Sequence, residues 1–202
     1  MSARPDKTPT EKLLRNVRVT SKCRFNSAKR LENHSDFSFF TVTLLSLGLI
    51  LIPLMQHNIK LNLEAYYLNA IQIFLAVATL VYSIIIEMSK YESRAEKLTI
   101  CGNKLKYLSW KIDNKCSLIK EFSIEELNKF QKQYIKIILT SENHIPNDYN
   151  YARLEMKHDY QLSKTDSIVL QCKATIFSLK LYLIPTILLL LEGYFIYKII
   201  LF

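Results

Sequence analysis

Residues 37–86 read FSFFTVTLLSLGLILIPLMQHNIKLNLEAYYLNAIQIFLAVATLVYSIII, and this stretch decides the fold. The 23 residues from Phe37 to Ile59 carry no Asp, Glu, Lys or Arg, and neither do the 22 from Ala65 to Ile86. A helix needs about 20 such residues to cross a bilayer core. Only five residues, Lys60 to Glu64, part the two stretches, so together they predict a transmembrane hairpin. The first stretch starts behind a long basic arm and a second follows at once, which reads as a retained span and not a cleaved secretory signal.

The rest of the composition agrees with this class. Half of the 202 residues are apolar, and 27 Lys and Arg against 18 Asp and Glu leave a net charge of +9. A disordered tail and a disulfide mini-protein are excluded. With only 3 Gly and 5 Pro, a strand-and-turn architecture or a Gly-rich nucleotide fold lacks its punctuation. The expected fold is all-α and membrane-embedded. Four parts follow: a basic N-terminal arm (1–36), the hairpin (37–86), an amphipathic helical region (87–175) and an apolar C-terminal segment (176–202), a third membrane helix by its composition.

Charge sets the expected orientation. Residues 1–36 hold nine Lys or Arg and four acids, the hairpin loop one of each, and Glu87 to Lys180 sixteen against twelve. The positive-inside bias places the N-terminus and residues 87–175 in the cytoplasm of a multi-pass inner-membrane protein, with the hairpin tip outward. In the C-terminal segment Lys180 and Lys198 lie about 27 Å apart along a helix, close to one hydrocarbon thickness, so each reaches an opposite interface. Glu192 then falls inside the bilayer, where an ionised carboxylate costs on the order of 3 kcal/mol. It reads either as a gating carboxylate or as a group drawn toward one interface by a lysine. Pro53 and Pro185 are expected to kink their spans.

Beyond the second span, Met88, Tyr91, Ala95, Leu98, Cys101, Leu105, Leu108 and Ile112 recur at spacings of three and four. This stripe predicts a helix continuous with the span, packing against another helix of the chain or against the same stripe of a second subunit. Gly102 is its weak point. Ser123 and Glu126 form a capping-box signature for a helix to about Leu139. SENHIPNDYNY (141–151) predicts a structured turn, with Asn147 or Asp148 capping a further helix over Tyr149–Lys173.

Several residue sets invite chemistry. His144 and Asp148 have the types of a general-base pair, but no nucleophile or metal-ligand set accompanies them. Cys23, Cys101, Cys116 and Cys172 have no zinc spacing and read as reduced structural thiols; no metal or other cofactor is expected. Arg15, Arg18, Lys22, Arg24, Lys29 and Arg30 form a cluster suited to anionic headgroups of the lipid bilayer, and without interleaved aromatics no nucleic-acid site is evident. Asn69, Gln72, Thr79 and Ser83 advance by three, seven and four residues along the second span, which puts them on one face, a pore lining or an interhelical hydrogen-bonding seam.

The stretch YYLNAIQIFLAVATLVYSIIIEMSKYESRAEKLTICGNKLKYLSWKI, with Tyr91, Arg94, Ala95, Glu96 and Leu98 after the hairpin, resembles the SLATT family of small two-span bacterial membrane proteins found beside conflict-system enzymes. Glu142, Asn143, His144, Asp148 and Tyr149 are similar to an ENH and DY element of a subgroup often coupled to reverse transcriptases. The resemblance covers about residues 20–175, and the third apolar segment departs from the simplest two-span form. It implies an antiviral effector, not an enzyme: a partner such as a reverse transcriptase senses invasion, and the membrane protein assembles into a homo-oligomeric pore that arrests or kills the cell. The competing expectation is a non-conducting scaffold tethering a soluble nucleic-acid or nucleotide-handling partner; a hydrolase using His144, Asp148 or Glu192 has the least support.

Overall fold

The computed structural model describes residues 8–56, 65–119, 121–156, 159–160 and 162–201. Among them every regular element is helical: α1 (Pro9–Gln56), α2 (Ala65–Ser89), α3 (Tyr91–Leu118), α4 (Ile124–Ile138), α5 (Pro146–Glu155), α6 (Lys164–Leu181) and α7 (Leu183–Leu201). The chain forms two units, one from residues 1–32 and 92–178, the other from 33–91 and 179–202. The hairpin tip expected to face outward, 57–64, lies outside the described residues.

The second, membrane unit holds the apolar stretches. Two helical runs, Pro9–Leu54 and Tyr66–Leu118, contain a segment long and apolar enough to cross a bilayer, and α6 with α7 counts as a third only if the pair is one span. Ile52, Leu68 and Leu75 form the buried centre, with Leu49, Ile71 and Ile196 packed around it, so α7 lies against the hairpin. Outward, Phe39, Phe40, Leu47, Ile50, Phe74, Leu80 and Ile84 are exposed. Such a band is a lipid-facing surface, not a solvent-facing one.

The first, extramembrane unit packs the start of α1 with α3, α4 and α5. Its core joins Leu13, Leu14 and Val17 of α1 to Cys101, Leu105, Leu108 and Ile112 of α3 and Phe130 of α4. The α3 stripe expected from the sequence is thus buried inside its own chain, and is not left free as a surface for a second subunit. Phe25 of α1 packs over Gly102: a Cβ there would stand 3.0 Å from the Phe25 ring. Its carbonyl accepts from Ser21 Oγ at 2.9 Å. The glycine costs helix propensity and permits the contact.

Two expectations change and two features add to them. The N-terminal arm is helical from Pro9 and runs without a break into the first span. Thr8 Oγ1 accepts from the Glu11 N–H at 3.2 Å, a cap that explains where the helix starts. The second span runs on into the stripe as one helical run, Tyr66–Leu118, with a local break at Lys90, where φ is +47° and the N–H turns back to the Glu87 carbonyl. A lysine in this left-handed region costs on the order of 1 kcal/mol. The helix expected over Tyr149–Lys173 is two, α5 and α6, interrupted after Met156. Pro146 takes the first position of α5, so Ile145 is the N-cap, and Asp148, expected as a cap itself, reaches back from the third position.

The C-terminal segment is likewise divided. Pro185 has no N–H for the Leu181 carbonyl, and the chain turns at Tyr182, whose N–H bonds Leu179 at 3.1 Å. Pro185 therefore sits in the first turn of α7, where a missing donor costs little. α4 begins as expected, with Ser123 Oγ accepting from Glu126 N–H at 3.3 Å.

Candidate functional site

Two polar sites stand out, one in each unit. In the extramembrane unit the site is built around Asp148, which is 1% exposed. Ser27 Oγ donates to it at 2.5 Å, Arg30 at 3.0 and 3.2 Å through two nitrogens, and the Ile145 N–H at 3.1 Å. Asn26 donates to the Asp148 backbone carbonyl at 3.3 Å. A buried carboxylate is tolerable when paired and fully hydrogen-bonded, as here.

Arg24, also buried, donates to the Glu142 carbonyl and to Asn143 Oδ1. The Glu142 side chain takes a forked pair of bonds from Arg94 at 2.9 to 3.1 Å. The turn 142–145 is thereby fixed to α1 and α3 by guanidinium groups. The two sequence elements that carry the family resemblance meet here: Arg94 belongs to one and Glu142, Asn143, His144, Asp148 and Tyr149 to the other. Ala95 is buried on the core face of α3, and Glu96 is exposed.

The structure does not pair His144 with Asp148. Both Asp148 oxygens are occupied by Ser27, Arg30 and the Ile145 N–H, and none of those bonds goes to His144. Burial holds the imidazole below the usual histidine range; the Arg24 charge adds to this and Asp148 opposes it. Its Nδ1 is buried without a hydrogen-bond partner among the described residues. Nearby, burial and the Asp148 charge push the Cys23 thiol up to about 12, which makes it inert.

Several cations of the basic cluster have acidic partners in their own chain: Arg18 pairs with Asp113 at 3.0 Å, Lys22 with Glu155 at 2.7 Å and Arg30 with Asp148. Arg153 is stacked over Tyr149 and Tyr160, 5.8 and 5.6 Å from the ring centres. The two tyrosine hydroxyls are 3.2 Å apart, which pins the connection after α5.

In the membrane unit the site is Glu192 of α7. The side chain is 4% exposed, and its Oε1 has no hydrogen-bond partner among the described residues. It rests against Gly48 of α1, where any Cβ would overlap the carboxylate. A side chain at position 48 would therefore displace the carboxylate end of Glu192 from this seat. Of the α2 polar face, Thr79 is buried, Gln72 and Ser83 are half-buried and Asn69 is exposed. Thr79 and Ser83 donate to their own helix, to the Leu75 and Leu80 carbonyls at 2.8 Å each. The set sits on one flank of the packed seam, and two of its four members need no partner.

Tyr91, from the family-like element, stacks on His34 with ring centres 5.7 Å apart. Tyr182 stacks on the same imidazole at 4.7 Å and meets Phe37 edge-on at 4.9 Å. No spacing or pattern marks this stack or Gly48, and in the sequence Ser27 and Arg30 stand out only as part of a basic arm. No group of three or more potential metal ligands occurs among the described residues.

An apolar helical hairpin joined to a charged helical unit defines an all-α membrane protein. The family described as SMODS and SLOG-associating 2TM effector domain family 5 matches the chain over residues 6–201, and the protein belongs to it, within the SLATT group of membrane effector domains associated with conflict systems. No curated protein matches the chain. No solved structure does either.

Proposed function

We propose that this protein is an inner-membrane effector of a bacterial antiviral defence system, which oligomerises and opens a pore that arrests or kills the host cell. The observation that carries the reading is Glu192: a carboxylate enclosed midway along the apolar helix α7, against Gly48, with one oxygen unpartnered among the described residues. Ionisable groups inside a bilayer are costly and mark ion pathways and gates more often than inert anchors. Two or three helices cannot enclose water, so several copies surround the path. In the closed state Glu192 is shielded by α1; opening turns it, with the Asn69, Gln72, Thr79 and Ser83 flank, toward the lumen. A sensor or enzyme of the same system, such as a reverse transcriptase, supplies the trigger from the cytoplasm.

Planar-bilayer recording tests this. The purified protein with its trigger gives conductance steps, and Gly48→Leu, which displaces the Glu192 carboxylate from its seat, raises conductance without the trigger. Electrical silence in both, with insertion confirmed, overturns the reading.

A second reading, a non-conducting tether, draws on a different surface. The α3–α4 groove is lined by Lys104, Lys111, Lys136, Asn103, Gln133 and Tyr107, with no acid among its lining residues, and suits an acidic partner. Co-purification of such a partner without any leak favours it.

A further inference from the structure

α6 is a membrane helix neither by charge nor by burial, and yet it leaves an apolar face uncovered. Ile168, Val169, Cys172, Ile176 and Leu179 follow one another at spacings of one, three, four and three, which places them on a single side. All five are exposed. The opposite side is held by protein: Ala174 is buried and its carbonyl accepts from Asn147 Nδ2 at 3.2 Å, while Ser178 Oγ lies within 3.4 Å of the same nitrogen. The exposed face is therefore not the mirror of a frayed helix. It is a surface left over after packing is complete.

Charge frames that face. At 100° per residue Lys164 falls on one edge, and Lys173 and Lys180 fall on the other; all three are exposed. An apolar strip bordered on both sides by lysines is the pattern of a helix lying in the headgroup region of a bilayer, its apolar side in the acyl boundary and its cations on anionic lipid.

The end of α6 leads directly into the membrane unit. Tyr182, one residue beyond α6, packs edge-on against Phe37 at 4.9 Å, and Phe37 is the first residue of the charge-free first span. From there α7 continues along the hairpin, with Glu192 at Gly48 and Ile196 at the Ile52, Leu68 and Leu75 cluster.

We infer that α6 is an interfacial helix, whose Ile168, Val169, Cys172, Ile176 and Leu179 face docks on the bilayer surface and whose Lys164, Lys173 and Lys180 contact anionic headgroups. The role assigned in the sequence to the N-terminal basic arm, several of whose cations have acidic partners within the chain, extends to this element. The inference stands whether or not the protein conducts.

Cys172 supplies the probe at the centre of the face. In the full chain carrying Cys116→Ser, with Cys23 and Cys101 buried, a nitroxide on Cys172 is read in nanodiscs of phosphatidylglycerol and phosphatidylcholine. The expected label is accessible to oxygen and protected from a water-soluble nickel chelate. A label at Lys111→Cys, on the exposed side of α3, shows the reverse. Replacing Lys164, Lys173 or Lys180 by Gln lowers the docked fraction about five-fold per lysine in anionic discs, and leaves it unchanged in phosphatidylcholine alone. Two outcomes overturn the inference: nickel access at Cys172 equal to that at Lys111→Cys, or exclusion of both reagents with spin–spin broadening, which would mean that a second copy covers the face. Circular dichroism of each variant confirms that the helices are intact.

Discussion

The two units handle their polar side chains in opposite ways. In the extramembrane unit they reach across the chain: Ser27 and Arg30 bond Asp148 from more than a hundred residues away, and Arg94 bonds Glu142. In the membrane unit most hydroxyls fold back on their own helix, Thr41 to the Phe37 carbonyl at 2.8 Å, Thr43 to Phe39 at 2.9 Å and Thr79 to Leu75 at 2.8 Å. Ser38 and Tyr82, 3.2 Å apart, are an interhelical exception. Long-range polar pairs specify one arrangement, since any other leaves buried groups unsatisfied. Helices that satisfy themselves can slide or exchange neighbours without creating such orphans. The difference teaches where rearrangement is cheap, and it is the membrane unit.

The contrast is most open to attack at Asp148. Asp148→Ala leaves Arg30 facing an empty site and is expected to destabilise the extramembrane unit by about 3–5 kcal/mol, read by hydrogen exchange of the α5 amides. Exchange unchanged from wild type would break the comparison.

A pair of truncations sharpens it. Leu105 and Leu75 are both fully buried, one in each unit. Leu105→Ala is expected to cost about 2–5 kcal/mol in denaturant unfolding of the extramembrane unit. Leu75→Ala should cost less, because lipid and not water is the alternative environment for a membrane helix. Equal losses would mean that the two interiors are held by the same force.

Acid should weaken the extramembrane unit. His144 sits below its ordinary value in the fold, so as pH falls past about 6.5 the unfolded chain takes up the proton first. Stability of the extramembrane unit then decreases until the folded histidine also protonates. His144→Gln flattens this part of the pH profile of thermal unfolding.

The smallest effect belongs to Thr79→Val. The hydroxyl serves its own helix, so its removal is expected to change stability by at most about 0.6 kcal/mol, measured by unfolding in mixed micelles. A larger loss would reveal an interhelical bond in the assembly.

What was legible in the sequence follows the same division. The hairpin could be read because the absence of charge over 22 residues has no other economical cause. The α4 cap and the α3 stripe are local patterns, and they fold as their spacing says. The start of α1 was hidden because its buried seam carries Ser21, Arg24, Ser27 and His34 between apolar positions, so a packed face looks like a solvated arm. The division of α5 from α6 was hidden because Tyr160, which anchors the connection, reads as one more helical aromatic. Asp148 was singled out for the wrong neighbour: His144 is close in sequence, whereas its partners come from α1. No period or spacing marks Gly48 as the seat of Glu192.

That last contact constrains how the protein can vary. The open space at position 48 is filled by the carboxylate of a residue 144 positions away. Enlarging Gly48 should push that carboxylate out of its seat, so the two positions ought to drift together across descendants more often than unlinked ones.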